Sequence, residues 1–157
     1  MTDPRHFQKI TTIRNFYAVN KYLYRGGQPN SEQFLNLKEN GFKTIINLRS
    51  GKKTIAREKS IVEELGMKFL NIPLSYFRNP TMDEVNRFIE YTEAAENQPL
   101  FVHCFHGVDR TGFIIAMYRI KICQWDFDRA YQEMVECGFH QISVSHYKRA
   151  LIKLSRT

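Results

Sequence analysis

One stretch of this chain fixes the order of two elements and the link between them. Leu100-Phe101-Val102 is a short apolar run. His103-Cys104-Phe105-His106-Gly107-Val108-Asp109-Arg110-Thr111-Gly112 follows, and Phe113-Ile114-Ile115-Ala116-Met117 is apolar again. That pattern reads as strand, tight loop and helix. The loop's backbone N–H groups can turn inward towards an anion, and the new helix aims the positive end of its dipole at the same point. Arg110 adds a planar, permanently charged fork matched to two anion oxygens. A thiol in such a field ionises readily, because settings of this kind bring a cysteine pKa to roughly 3.5–7.5. The chemistry that fits these residues is attack of the Cys104 thiolate on phosphorus.

The same residues resemble the Cys-x5-Arg signature of the protein tyrosine phosphatase superfamily, in the form His-Cys-x-x-Gly-x-x-Arg-Thr-Gly. The length of 157 residues and the segment Tyr24-Arg25-Gly26-Gly27-Gln28-Pro29 look like the small dual-specificity-type branch, with the resemblance running from about Phe16 to the C-terminus. Gly107-Val108-Asp109-Arg110-Thr111 is also similar to the Gly-x-Asp-Arg-Thr of myotubularin-type phosphoinositide phosphatases. The resemblance implies a phospho-cysteine intermediate on Cys104, a dianion clamped by Arg110, and neither a cofactor nor a metal ion. Phe105, His106, Gly107 and Val108 then complete the phosphate-binding loop. Thr111 is placed to hydrogen-bond the Cys104 sulfur as leaving group, or to cap the helix, and one hydroxyl can serve both. By the same resemblance His103 points away from substrate and holds the loop. Gly107 suits a backbone conformation closed to residues with a Cβ, and Gly112 lets the new helix pack closely.

The chain has the length and composition of one ordinary globular domain. We expect residues 1–15 to be an N-terminal arm and 16–157 a single phosphatase domain. Apolar periodicity gives alternating strands and helices in the middle of the chain. The expected fold is therefore α/β, dual-specificity-phosphatase-like, with a central, mostly parallel sheet of about four or five strands flanked by helices. Such sheets gather functional loops at the carboxyl ends of their strands. The loops after Leu48 and Ile72 should meet the Cys104 loop there. The three cysteines Cys104, Cys123 and Cys137 are an odd number without metal-ligand spacing, which favours a reducing, cytoplasmic compartment. No stretch is long and apolar enough to span a bilayer. The formal charge of +7 favours a polyanionic partner, and no nucleic-acid motif accompanies it.

The proton donor for the leaving alcohol is harder to place. The resembled family draws an aspartate from the loop after the preceding strand, but Pro73-Leu74-Ser75-Tyr76-Phe77-Arg78-Asn79-Pro80 has no carboxylate. Asp83 follows in the first turn of a capped helix, where an acid also suits the helix dipole. Asp109 is the alternative, either carrying a proton into the pocket or turning away to bond backbone N–H groups. His106 lies in the loop and is a further polar neighbour. Arg49, Lys52, Lys53, Arg57 and Lys59 crowd the segment after Leu48, and Arg78 occupies the next loop. Arg49, Lys52, Lys53 and Arg78 are expected to rim the pocket. The expected function is hydrolysis of phosphate monoesters, leaning to inositol phosphates or phosphoinositides in a phytase-like manner. The alternatives are a tyrosine or dual-specificity protein phosphatase, and an idle phosphate-binding module.

Overall fold

The computed structural model describes residues 12–157. Most of the expected N-terminal arm, residues 1–11, lies outside them. Of its remainder, Ile13 is buried and Arg14 accepts a backbone hydrogen bond from Gly27.

Five strands form one sheet in the order β1-β2-β5-β3-β4. β1 (Tyr17–Ala18) and β2 (Leu23–Gly26) make an antiparallel pair joined around Asn20 and Lys21. β3 (Thr44–Asn47), β4 (Lys68–Asn71) and β5 (Leu100–His103) run parallel to β2. Among the described residues six α-helices surround the sheet: α1 (Ser31–Glu39), α2 (Lys52–Glu64), α3 (Met82–Glu93), α4 (Arg110–Lys121), α5 (Phe127–Glu136) and α6 (Ser145–Ser155). This is the α/β architecture that the alternating pattern implies.

The helix starts are written locally. Asn30 caps α1 and Thr81 caps α3, each in a reciprocal capping box with Gln33 or Glu84, while Asp126 caps α5 through its side chain. Period-two alternation divides the core. Tyr24, Ile45 and Phe101 face one way, with Phe34, Leu37 and Val62 of α1 and α2. Leu23, Ile46, Leu100 and Val102 face the other way, under Phe88 of α3, Phe113 and Met117 of α4, Met134 of α5 and Leu151 of α6. A one-residue slip of β5 would exchange these faces, so burial on both sides locks the register. In that register Gly26 and Asn47 both stand opposite His103. The carboxyl ends of β2, β5 and β3 therefore finish level, directly beneath the loop that carries Cys104.

Candidate active site

Residues 104–109 join the end of β5 to the start of α4. Cys104 is fully buried, and the backbone N–H of Gly107 donates to its Sγ at 3.2 Å. Gly107 has φ +78°, and a Cβ there would come within 2.4 Å of the Gly26 carbonyl carbon. The loop can turn its N–H groups inward only because two backbones, Gly107 and Gly26-Gly27, touch without side chains between them. Gln28 N–H donates to the Phe105 carbonyl, and Asn15 donates to that of His106, which fastens the same edge.

Beneath this seat lies Arg25, 2% exposed, whose Nη2 donates to the Gly107 carbonyl at 3.1 Å. Its Nε and Nη1 have no partner among the described residues. Burial lowers the guanidinium from its ordinary value, against the attraction of Cys137, Glu133, Cys104 and Tyr17. Arg110 and Thr111 add two more buried polar atoms, Nε and Oγ1, without a partner among the described residues. Such groups are costly unless something fills them, so unmet donors on the two residues that close the loop mark a place shaped for a hydrogen-bond acceptor. The Arg110 guanidinium rests on the Tyr76 ring at 4.1 Å, a stacking that fixes its plane. Tyr76 is carried by the loop after β4, and Tyr147 of α6 anchors that loop by donating to the Ser75 carbonyl at 2.7 Å.

His103 faces away from the thiol. Its Nδ1 lies 3.0 Å from the Cys104 carbonyl and its Nε2 lies 2.9 Å from Glu58, both side chains being buried. Burial pushes the Glu58 carboxyl up. His103 and hydrogen bonds from His103, Gln28 and Asn47 outweigh that push and hold it below its ordinary value. Arg49 bonds Gln28 at 2.8 Å and lies over the Phe105 ring at 4.9 Å. A chain of contacts thus runs from the buried face of α2 to the outer edge of the loop.

Asp109 is 3% exposed and turns towards the segment between α5 and α6. It accepts from the His140 backbone N–H at 2.9 Å, and His140 Nδ1 lies 2.9 Å from its second oxygen. Next to this pair Gly138, at φ +104°, packs its backbone on Val108. His106 stands among the same charges. Burial and Arg14 lower its pKa, Asp109 opposes them, and His140 and Arg110 add smaller downward pushes.

The remaining sequence candidates lie outside the loop itself. Arg78 pairs with Glu84 at 2.7 Å in the first turn of α3. Asp83 is exposed in that same turn. Lys52 and Lys53 are exposed at the start of α2, whereas Arg49 is the member of that basic group in contact with the loop through Phe105. The sequence reading did not single out Glu58, Tyr76 or His140. Glu58 had a readable signal, since it occupies the stripe of Ile55, Val62 and Leu65 at helical spacing. An acid on an apolar stripe is buried and needs a partner. Among the described residues no group of His, Cys, Asp and Glu could hold a metal ion, and no helix is long and apolar enough to cross a membrane.

Residues 10–149 match a protein family described as a DSP-PTPase phosphatase fused to NAD+ kinase. The dual specificity protein phosphatase TpbA of Pseudomonas aeruginosa is 29% identical over 137 residues, which is 87% of this chain and 60% of that protein. The chain thus spans somewhat over half the length of this curated relative. A crystal structure of P. aeruginosa TpbA is similar at a TM-score of 0.75 and 26% identity, over 91% of this chain and 86% of that one. A cysteine-to-serine TpbA in complex with phosphotyrosine gives 0.73 at 26% identity, over 87% and 82%. The catalytic domain of the PP-IP phosphatase Siw14 from S. cerevisiae shares the fold, at a TM-score of 0.74 and 23% identity over 92% and 90%.

Proposed function

The chain belongs to this DSP-PTPase family, and from that premise we propose that it hydrolyses phosphate monoesters through a phospho-cysteine intermediate, with phosphotyrosine or other phosphorylated side chains of proteins as substrate. The observation that carries the reading is the pair of unsatisfied buried donors on the residues that close the Cys104 loop, namely Arg110 Nε and Thr111 Oγ1. A phosphoryl group bound in the loop gives these donors their acceptor. The Cys104 thiolate attacks phosphorus, Arg110 and the loop N–H groups hold the equatorial oxygens, and the ester oxygen departs with a proton. Water then cleaves the S–P bond, and the sulfur departs as a thiolate held by the Gly107 N–H. Asp109 orders the loop by its hold on His140, and Asp83 and Arg78 belong to the start of α3. Residues 16–157 act as one catalytic domain.

The phosphoprotein reading draws support from two fully or nearly fully exposed apolar residues, Phe77 and Ile142. They sit on the loops that carry Tyr76 and His140, and residues flanking a phosphorylated side chain can rest on them. The TpbA relative bound to phosphotyrosine agrees with it. One observation favours a second reading, an inositol phosphate. A cavity of about 320 Å³ is lined by Gln28, Arg49, Thr54 and Arg57, with Glu58 among its walls, and its two arginines suit a further phosphate. A kinetic panel of phosphotyrosine peptides, phosphoserine peptides and inositol polyphosphates tests the assignment. The expected outcome is the highest kcat/KM on phosphotyrosine peptides, with weak salt dependence. A preference for inositol polyphosphates that collapses with salt, and falls further in Lys52→Ala/Lys53→Ala, would overturn it in favour of the second reading. Phosphate binding without turnover of any ester would leave only the idle module.

A further inference from the structure

The loop after β4 supplies no carboxylate, and the one acid within the phosphate loop is already engaged. Asp109 spends both oxygens on one residue: Oδ1 accepts the His140 backbone N–H, and Nδ1 of the ring stands 3.1 Å from Oδ1 and 2.9 Å from Oδ2. A carboxylate that faces Nδ1 fixes that nitrogen as the one bearing hydrogen. Nε2 is left as the nitrogen free to give or take a proton. The carboxylate is buried at 4% exposure of its side chain, while the imidazole is 57% exposed. The pair therefore has the form of a buried orienter with an accessible ring. The pair adjoins the phosphate loop: Gly138 lies on Val108, Asp109 immediately precedes Arg110, and His106 feels the charges of Asp109, His140 and Arg110.

We infer that His140, oriented by Asp109, is the proton donor to the leaving oxygen and the acceptor from the hydrolytic water. The inference rests on the phosphatase reading above and deepens it. In the first step Cys104 Sγ forms a bond to phosphorus as the P–O ester bond breaks. The electron pair of that bond takes the proton from Nε2–H of the His140 imidazolium, leaving a neutral ring with Nδ1–H still on Asp109. In the second step Nε2 removes a proton from water as its oxygen bonds phosphorus. The S–P bond breaks, the thiolate returns, and the ring is again protonated. Asp109 is a positioning residue in this scheme and gives up no proton.

The test compares two monoesters, an activated aryl phosphate and an alkyl phosphate, because an acid matters in proportion to the basicity of the leaving oxygen. His140→Gln keeps the backbone N–H bond to Asp109. We expect it to lose about 10²-fold in kcat/KM on the alkyl ester and about threefold or less on the aryl ester, with a cooperative melting transition that shows the fold intact. Asp109→Asn should show the same bias more weakly. Equal losses on both esters in His140→Gln, or no loss, would overturn the inference. So would the bias appearing in Asp109→Asn alone, since Asp109 would then hand over the proton itself. Failure of the phosphatase reading is separate and visible in the wild type: a protein that hydrolyses neither ester has no such step, and both proposals fall.

Discussion

Against β2 the phosphate loop has no spare space, whereas against the loops after β4 and α5 it meets side chains that are free to change. On the first side Gly107 touches the Gly26-Gly27 backbone, and Arg25 and the His103–Glu58 pair lie buried beneath. On the second side His140 is largely exposed, and Phe77 and Ile142 are exposed outright. The difference teaches a division of labour. The buried side is over-determined, so that the loop has one shape, while on the proposed reading the open side carries the groups that would meet the rest of the substrate. Precision of about an ångström belongs to the first, and selectivity to the second.

The comparison can be broken most sharply at the nucleophile, where both sides are left intact. Cys104→Ser should cut turnover by on the order of 10⁴-fold or more, yet still bind vanadate, because the cradle survives. Appreciable hydrolysis by the purified variant would falsify covalent catalysis. Next comes the buried seat: Gly107→Ala should lower kcat/KM by about 10²-fold on every substrate alike, since its Cβ has no place against Gly26. A substrate-dependent loss would mean that the seat also takes part in selection.

Glu58→Gln should leave the catalytic groups in place but cost about 3 kcal/mol in urea unfolding near neutral pH, because a buried pair is broken. Its sign with pH follows from the direction of the Glu58 shift. A carboxyl held below its ordinary value of 4.5 contributes stability that is fully present above that value. The contribution is lost as pH falls from there through the lower folded value. The wild type should lose this margin across that acidic window, and the variant should lack that loss. Identical acid profiles would show that the pair adds nothing. The smallest effect belongs to the open side: Phe77→Ser with Ile142→Ser should raise KM for a phosphopeptide about threefold to tenfold and leave a small aryl phosphate unchanged. Equal behaviour of the two substrates would remove these residues from substrate contact.

Much of the buried side could be read from the residues alone. Strand, loop and helix around Cys104 followed from apolar runs and glycines, and the capping boxes at Asn30 and Thr81 marked two helix starts by their own side-chain chemistry. These are local signals, and burial on both faces of the sheet reinforces them. The open side was less legible because its contacts join residues far apart in the chain. Nothing in the spacing of Asp109 and His140, or of Tyr76 and Arg110, announces that they meet. Arg25 was visible only as part of a resembled motif. Its place under Gly107 depends on β2 lying beside β5, which local pattern does not determine. Lys52 and Lys53 illustrate the opposite case, since clustering in sequence put them on an exposed helix start.

The seat of Gly107 on Gly26-Gly27 also bears on the order in which the site is completed during synthesis. β2 leaves the ribosome well before β5, so the backbone that seats the loop is already synthesised when Cys104 is made. The segment that covers the loop's other side, Gly138 on Val108 and His140 on Asp109, is made afterwards. A nascent chain halted between α4 and α5 therefore holds thiol, arginine and seat but lacks its cover. Completion of the site waits for the segment between the final two helices, which brings Gly138 onto Val108 and His140 onto Asp109.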